Sequence, residues 1–313
     1  MQLNPVSAPA DIGFFGKIPS HGDFVRGNVG DPLAQRFVRW LEEASEACHR
    51  AKASLPRQPV MFLFRAAGET RALVGVLRGS EDRVGRKFPL AVFVQAAGPV
   101  VEGAFPSAPM AFRRFADAAA AAIAADPPSP AALAAAVGAL APSGQPDAAA
   151  AGEEGRAAGA RPSGDFLARL LGDAAQGRRE YAMNTFLAAC ATVRGREPSR
   201  AETVLDCPAT DAADAWTWLE LARAALGWSA ATPFFFRAGN PGRLLVSLGA
   251  PPAAVFSGLC EPPRDHPKIW PLGTSTAAAI EAARKALGDR RRAALADGRG
   301  TVGELVAELA GGR

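Results

Sequence analysis

Cysteine is scarce in this 313-residue chain. Cys48, Cys190, Cys207 and Cys260 lie far apart and include no CxxC pair. That spacing outlines neither a zinc site nor a disulfide scaffold, so all four are expected as reduced, buried residues acting as small hydrophobes. Lysine is scarce too: five of the 35 basic residues are Lys, at 17, 52, 87, 268 and 285. Against 31 acidic residues the net charge is +4, too even to mark a nucleic-acid-binding surface. Long apolar runs are missing as well. Stretches without a polar side chain, such as 118–125, are far short of the ~20 residues that span a bilayer, so no membrane insertion is expected. Residues Met1–Asp11 hold neither a basic n-region nor an apolar h-region, which points to the cytoplasm. What remains is ordinary for a globular protein: 49% hydrophobic and 21% charged residues, with enough chain for a substantial core.

Alanine, arginine, glycine and proline are abundant together, as a GC-rich coding bias produces, so alanine runs carry little structural weight. Better signals come from patterning. Ile12–Gly16 is a short apolar strand candidate running into the turn-rich segment Lys17–Asp23. Asp31 and Pro32 supply an N-cap and a first helical residue. Leu33, Phe37, Trp40, Leu41, Ala44 and Cys48 then form one helical apolar stripe, opposite Arg36, Arg39, Glu43, Glu46 and Arg50. The runs Val60–Phe64, Leu73–Leu77 and Leu90–Val94 are apolar on both faces, as in strands inside a sheet covered on both sides. The expected fold is therefore a three-layer α/β/α arrangement around a mixed, largely buried sheet.

Three regions are expected: an α/β domain at 1–125, an Ala/Gly/Pro-rich insert at 126–165, and a C-terminal α/β portion at 166–313 that extends or packs on the first. Within the insert, 131–140 reads as a short helix. Residues 142–162 hold almost no bulky apolar side chain and read as an exposed or poorly ordered loop, removable without loss of the fold. Beyond it, a helix from Phe166 to about Ala189, a strand at Thr203–Leu205 and a helix ending at Gly227 are expected, the last capped at Thr210 and Asp211. A strand pair, Phe234–Phe236 with Leu244–Val246, should turn at Gly239–Gly242. A short helix within Pro251–Leu259 and an amphipathic one from Thr276 to Ala296 complete the series.

Chemistry is harder to find. Gly13–Lys17 has two residues between its glycines and Ile18 after the lysine, unlike a phosphate-cradling P-loop. Ser20, His21 and Asp23 are the residue types of a hydrolase triad, but near neighbours cannot easily point at one another. A metal held by His21 and Asp23 would need distant further ligands. No catalytic residue, metal or cofactor is expected. Ser80–Leu90 is a second polar loop leading into a buried strand. Polar loops at strand ends are common positions for sites, so Lys17, Ser20, His21, Asp23, Arg26, Ser80, Asp82 and Arg86 form the candidate functional surface. Asp82 with Arg26, or Asp23 with Arg86, could pair across it, and a buried Asp–Arg pair tying the loops together is the plainer alternative. Asp23 could equally bond amides of its own turn. Trp216 and Phe236 are expected in the core, whereas Trp218, ~200° further round its helix, and Trp270 are candidate interface aromatics.

The segment Gly13–Val25, with its aromatic pair, Gly16-Lys17, and Pro19-Ser20 followed by Gly22-Asp23-Phe24, resembles the opening signature of the TagF (ImpM) family of type VI secretion-associated proteins. Ser80, Asp82, Gly85, Arg86, Phe88, Pro89 and Leu90 resemble its second signature. The aromatic helix at 211–219, Pro233–Phe236 and the 256–259 segment are similar to its C-terminal half. The likeness covers about 10–125 well and 205–260 moderately, and the family turn carries Arg where this chain has His21. It implies a cytoplasmic three-layer α/β/α domain and a non-catalytic, post-translational repressor of type VI secretion assembly. Its implied partners are type VI secretion components, among them a forkhead-associated-domain scaffold protein. A small-molecule or phosphate-binding domain, or a degenerate enzyme, using the same two loops is the other reading.

Overall fold

The computed structural model describes residues 12–311; the leader-like features sought in Met1–Asp11 lie outside them. In chain order the strands are β1 (Ile12–Gly16), β2 (Val25–Gly27), β3 (Val60–Phe64), β4 (Ala72–Glu81), β5 (Lys87–Ala96), β6 (Val204–Pro208), β7 (Phe234–Arg237), β8 (Arg243–Ser247) and β9 (Ile269–Pro271). The helices up to the middle of the chain are α1 (Pro32–Arg50), α2 (Gly98–Ala104), α3 (Ala108–Ala111), α4 (Arg113–Ala124), α5 (Pro130–Gly138), α6 (Ala148–Gly159) and α7 (Ser163–Leu171). After them come α8 (Arg178–Thr192), α9 (Ala212–Leu226), α10 (Val255–Leu259), α11 (Ala277–Leu287), α12 (Asp289–Asp297) and α13 (Val302–Gly311).

All nine strands join one sheet in the order β2-β1-β5-β4-β3-β7-β8-β6-β9. Its neighbours are antiparallel except β6 and β9, so the sheet is mixed. The C-terminal half extends the N-terminal sheet: Leu63 pairs with Phe234 and Met61 with Phe236 where β3 meets β7.

The central strands feed two cores because successive side chains point to opposite faces. Val60, Phe62 and Phe64 join one core, with Phe15, Phe93, Phe235, α1 and α10. Met61 and Leu63 join the other, with Val74, Val92, Phe234 and the remaining helices. That makes three layers. In the first core Phe37 stacks 4.9 Å from Phe62, and Trp40 lies 5.2 Å from Phe235. The entire expected α1 stripe is buried, and Asp31 Oδ1 caps the helix by accepting from Leu33 N at 2.8 Å.

Four expectations need correction. Residues 142–162 are not a loop: Asp147 accepts from Ala150 N and caps α6, which buries Ala151, Gly155 and Ala158. The apparent lack of core-forming side chains is how α6 packs. A Cβ at Gly155 or Gly159 would stand 3.1 Å from the Trp216 ring of α9, so the absent side chains let the two helices approach. Deleting the segment would strip that cover from Trp216. Secondly, Trp218 is 0% exposed, because α9 is covered over most of its circumference rather than on one stripe. Its indole N–H reaches Pro208 O at 2.9 Å, and its ring meets Phe186 at 5.3 Å. Thirdly, the helix expected over 166–189 is interrupted between α7 and α8, where Asp173 caps a short turn at 174–176. Fourthly, the expected terminal helix is two, α11 and α12, joined at Gly288, and α13 follows.

Candidate functional site

Both polar loops meet at one end of the sheet's N-terminal half. β1 runs beside β5, pairing Phe15 with Ala91. At Gly16 the backbone has φ of 148° and comes so close to β5 that a Cβ would lie 2.1 Å from Pro89 O. Only glycine allows that approach, and it delivers Lys17 directly beneath the β4–β5 hairpin. The hairpin turns at Gly85, whose φ of 83° is a conformation glycine adopts without strain.

Asp82 is the hub. Its Oδ2 accepts from Lys17 Nζ at 2.8 Å and Arg86 Nε at 2.6 Å; its Oδ1 accepts from Val84 N at 3.0 Å and Arg86 N at 2.9 Å. Burial alone would raise this carboxyl, but the Lys17 ammonium and the Arg86 donors hold it well below the usual carboxylate range. Lys17 is buried and also stands 5.0 Å over the Phe24 ring, a cation–π contact. Phe24 in turn stacks on Phe15 at 5.2 Å and meets Phe88 edge-on at 4.8 Å. Two backbone ties complete the join: Arg83 N donates to His21 O at 3.0 Å, and the Arg86 guanidinium donates to Gly22 O.

The sequence-derived surface is thus partly assembled. Lys17, Asp82 and Arg86 converge, in a pairing different from either one weighed. Asp82 does not meet Arg26, and Asp23 does not meet Arg86. Asp23 is exposed and accepts from the adjacent Phe24 N at 2.7 Å. Arg26 is exposed on β2, without a hydrogen-bond or ion-pair partner among the described residues. Ser20 turns aside to donate to Pro127 O at 2.6 Å. The His21 ring is half-buried, and Ser80 pairs with Phe88 in the hairpin. Two further residues belong here. Val84, at the hairpin tip, is 68% exposed, and Arg83 beside it is exposed too. An apolar residue alone in a charged loop was the available signal. Trp270 is 39% exposed on the edge strand β9, remote in the sheet order from this site.

Next to the joined loops is a cleft of about 320 Å³, lined by Pro19, Arg57, Arg78, Ser80, Glu81, Lys87 and others. Lys17, Asp23, Asp82 and Arg86 do not line it. A larger groove of about 670 Å³, floored by Met61, Val76 and Phe236, is mostly apolar with Arg113, Asp117 and Asp211 at its lining, and includes no residue of the two polar loops. Among the described residues no helix is long and apolar enough to cross a membrane, and no group of three or more His, Cys, Asp or Glu could hold a metal ion.

No curated protein matches the chain. The crystal structure of PA0076 from Pseudomonas aeruginosa PAO1 is similar to part of it, at 25% identity and a TM-score of 0.29. That match covers 37% of this chain and 62% of the other, under two thirds of its length. Residues 13–142, which hold both loops, match the family model described as the TagF N-terminal domain, type VI secretion system-associated. Residues 13–142 are therefore similar to the TagF N-terminal domain, and that similarity covers under half of the chain.

Proposed function

We propose that the protein is a non-catalytic, post-translational repressor of type VI secretion assembly that acts by binding a protein partner through the joined loops. The observation that carries this reading is the state of Lys17 and Asp82. Each neutralises the other in a buried pair 2.8 Å apart, and both Asp82 oxygens are already occupied by donors. Groups so engaged hold loops in position and are poor at taking up protons or substrate. What the pair holds outward is a small protruding face: Val84, Arg83, Arg86 and Asp23. An exposed apolar residue ringed by charge is suited to a modest protein contact. The partner class follows the family: a type VI secretion component, with a forkhead-associated-domain scaffold as the first to test.

A binding repressor works by mass action, so its effect tracks its concentration relative to its target. Titrating expression in a type VI-competent host while measuring secreted tube protein tests this. Repression should require near-equal amounts of protein and target, and overproducing the target should relieve it. Repression persisting at a small fraction of the target's level would overturn the binding reading in favour of turnover.

The second reading, a phosphate- or small-molecule-binding domain, is favoured by the cleft alone, where Arg57, Arg78 and Lys87 approach Ser80. Calorimetric titration with inorganic phosphate addresses it. Saturable heat lost in Arg78→Ala would support it, and no heat at millimolar phosphate would remove it.

A further inference from the structure

Cys48 lies in the last turn of α1, and Cys260 is the residue that ends α10. The two helices pack together on one face of the sheet, and the two buried sulfurs are 3.1 Å apart. A disulfide is ~2.05 Å long, so bonding needs an approach of about 1 Å. We propose that Cys48 and Cys260 are a redox-modification site, a dithiol that hydrogen peroxide converts to an intramolecular disulfide joining α1 to α10.

The two thiols have different roles. The Cys260 thiol, hydrogen-bonded to Cys48, draws the Cys48 thiol below its ordinary value against the effect of burial, and the Arg264 guanidinium adds to this. Cys260 is pushed upward, first by that same hydrogen bond and then by burial. Cys48 is therefore the nucleophile and Cys260 the resolving thiol. The other two cysteines differ: burial pushes Cys190 up to about 12 and Cys207 well above its ordinary value, as for inert core thiols.

The Cys48 thiolate attacks one peroxide oxygen. The O–O bond breaks, and the leaving hydroxide takes up the Cys48 proton to become water. The Cys260 sulfur then attacks the Cys48 sulfenic acid. An S–S bond forms as the S–O bond breaks, and the departing hydroxide leaves as a second water with the Cys260 proton. Two thiols and one peroxide give one disulfide and two waters; each sulfur is oxidised by one electron, and the peroxide is reduced.

The dithiol lies at the base of the chain segment that borders the cleft. Cys48 Sγ donates to Ala53 O at 3.4 Å, Glu261 N donates to Ser54 O at 3.1 Å, and Gly79 N donates to Pro56 O at 2.7 Å. Oxidation would pin this segment where it leads into the second signature, and would close a loop between residues 212 apart in the chain.

The test treats the reduced full-length protein with hydrogen peroxide, alkylates it under denaturing conditions and maps the peptides. The expected result is two alkylatable thiols in place of four, a peptide linked through Cys48 and Cys260, and a melting temperature raised by ~5 °C and restored by dithiothreitol. In Cys260→Ser, dimedone should label Cys48. Four alkylatable thiols after peroxide, or a link that uses Cys190 or Cys207, would overturn the proposal. The wild-type map decides the matter even if a variant fails to fold.

Discussion

Asp82 takes four hydrogen bonds on two oxygens, and its buried cation, Lys17, comes from a loop 65 residues earlier in the chain. Removing such an acceptor leaves a buried ammonium without its counter-charge, so Asp82→Asn should lower the urea midpoint at neutral pH. The pH dependence has a definite sign. The folded carboxyl titrates below its ordinary value of 3.8. Its contribution is therefore fully present above that value and is lost as pH falls through it towards the folded value. The midpoint gap between wild type and Asp82→Asn should be widest near neutrality and narrow as pH falls below about 4. A gap that widens on acidification would contradict this account. Asp23 has the opposite character. Exposed, and bonded only to the neighbouring amide, it should cost within about 0.5 kcal/mol on replacement by alanine. Unaltered urea melts together with lost repression would place Asp23 in the contact face, whereas a large fall in midpoint would show it supports the loop.

At the level of elements, α6 shows how a segment poor in bulky residues still packs. Its cap at Asp147, the paired hydrogen bonds from Arg113 to Glu154 at 2.8 Å each, and the glycines against Trp216 hold it in place. A valine at Gly155 would put its Cβ 2.6 Å from Ser107 Oγ and 3.1 Å from Trp216 Nε1. Gly155→Val should therefore destabilise by about 1–3 kcal/mol through overpacking, measured as a lower urea midpoint with an unchanged slope. A neutral result would mean α6 is held loosely. The neighbouring α9 is fixed by charge as well as by packing. Buried Asp214 receives both Arg169 nitrogens at 2.6 Å and the Thr210 amide at 2.9 Å, so burial, which would raise its carboxyl, is outweighed and the carboxyl titrates below its ordinary value.

For the whole molecule, the matched domain ends at residue 142, but the sheet does not. β3 lies between β4 and β7, with its five residues buried on both faces. Cutting the chain after 142 would remove β7 and expose an apolar edge with unpaired backbone groups, a template for aggregation. Residues 13–142 alone should elute as aggregates or oligomers in size-exclusion chromatography, whereas the full chain should not. A monomeric fragment with a cooperative melt would show that the N-terminal unit is independent of β7.

The sequence alone was enough for α1, because an Asp31–Pro32 start and one apolar stripe are local signals read within 19 residues. It was enough for β3 and for the β7–β8 pair, where apolar runs end in turn formers, and for the likeness of residues 13–142 to the TagF N-terminal domain, whose two signatures are contiguous strings. Tertiary structure alone decided that Lys17 reaches Asp82 from the other loop, that Trp218 is covered, that glycines make α6 a packing helix, and that Cys48 faces Cys260. Each of these depends on what lies opposite in space, from 65 residues away for Lys17 and Asp82 to 212 for the two cysteines. Periodicity reports which face of an element is apolar, but not how many faces the fold will cover. Charge types show which pairings are possible, but strand register selects among them.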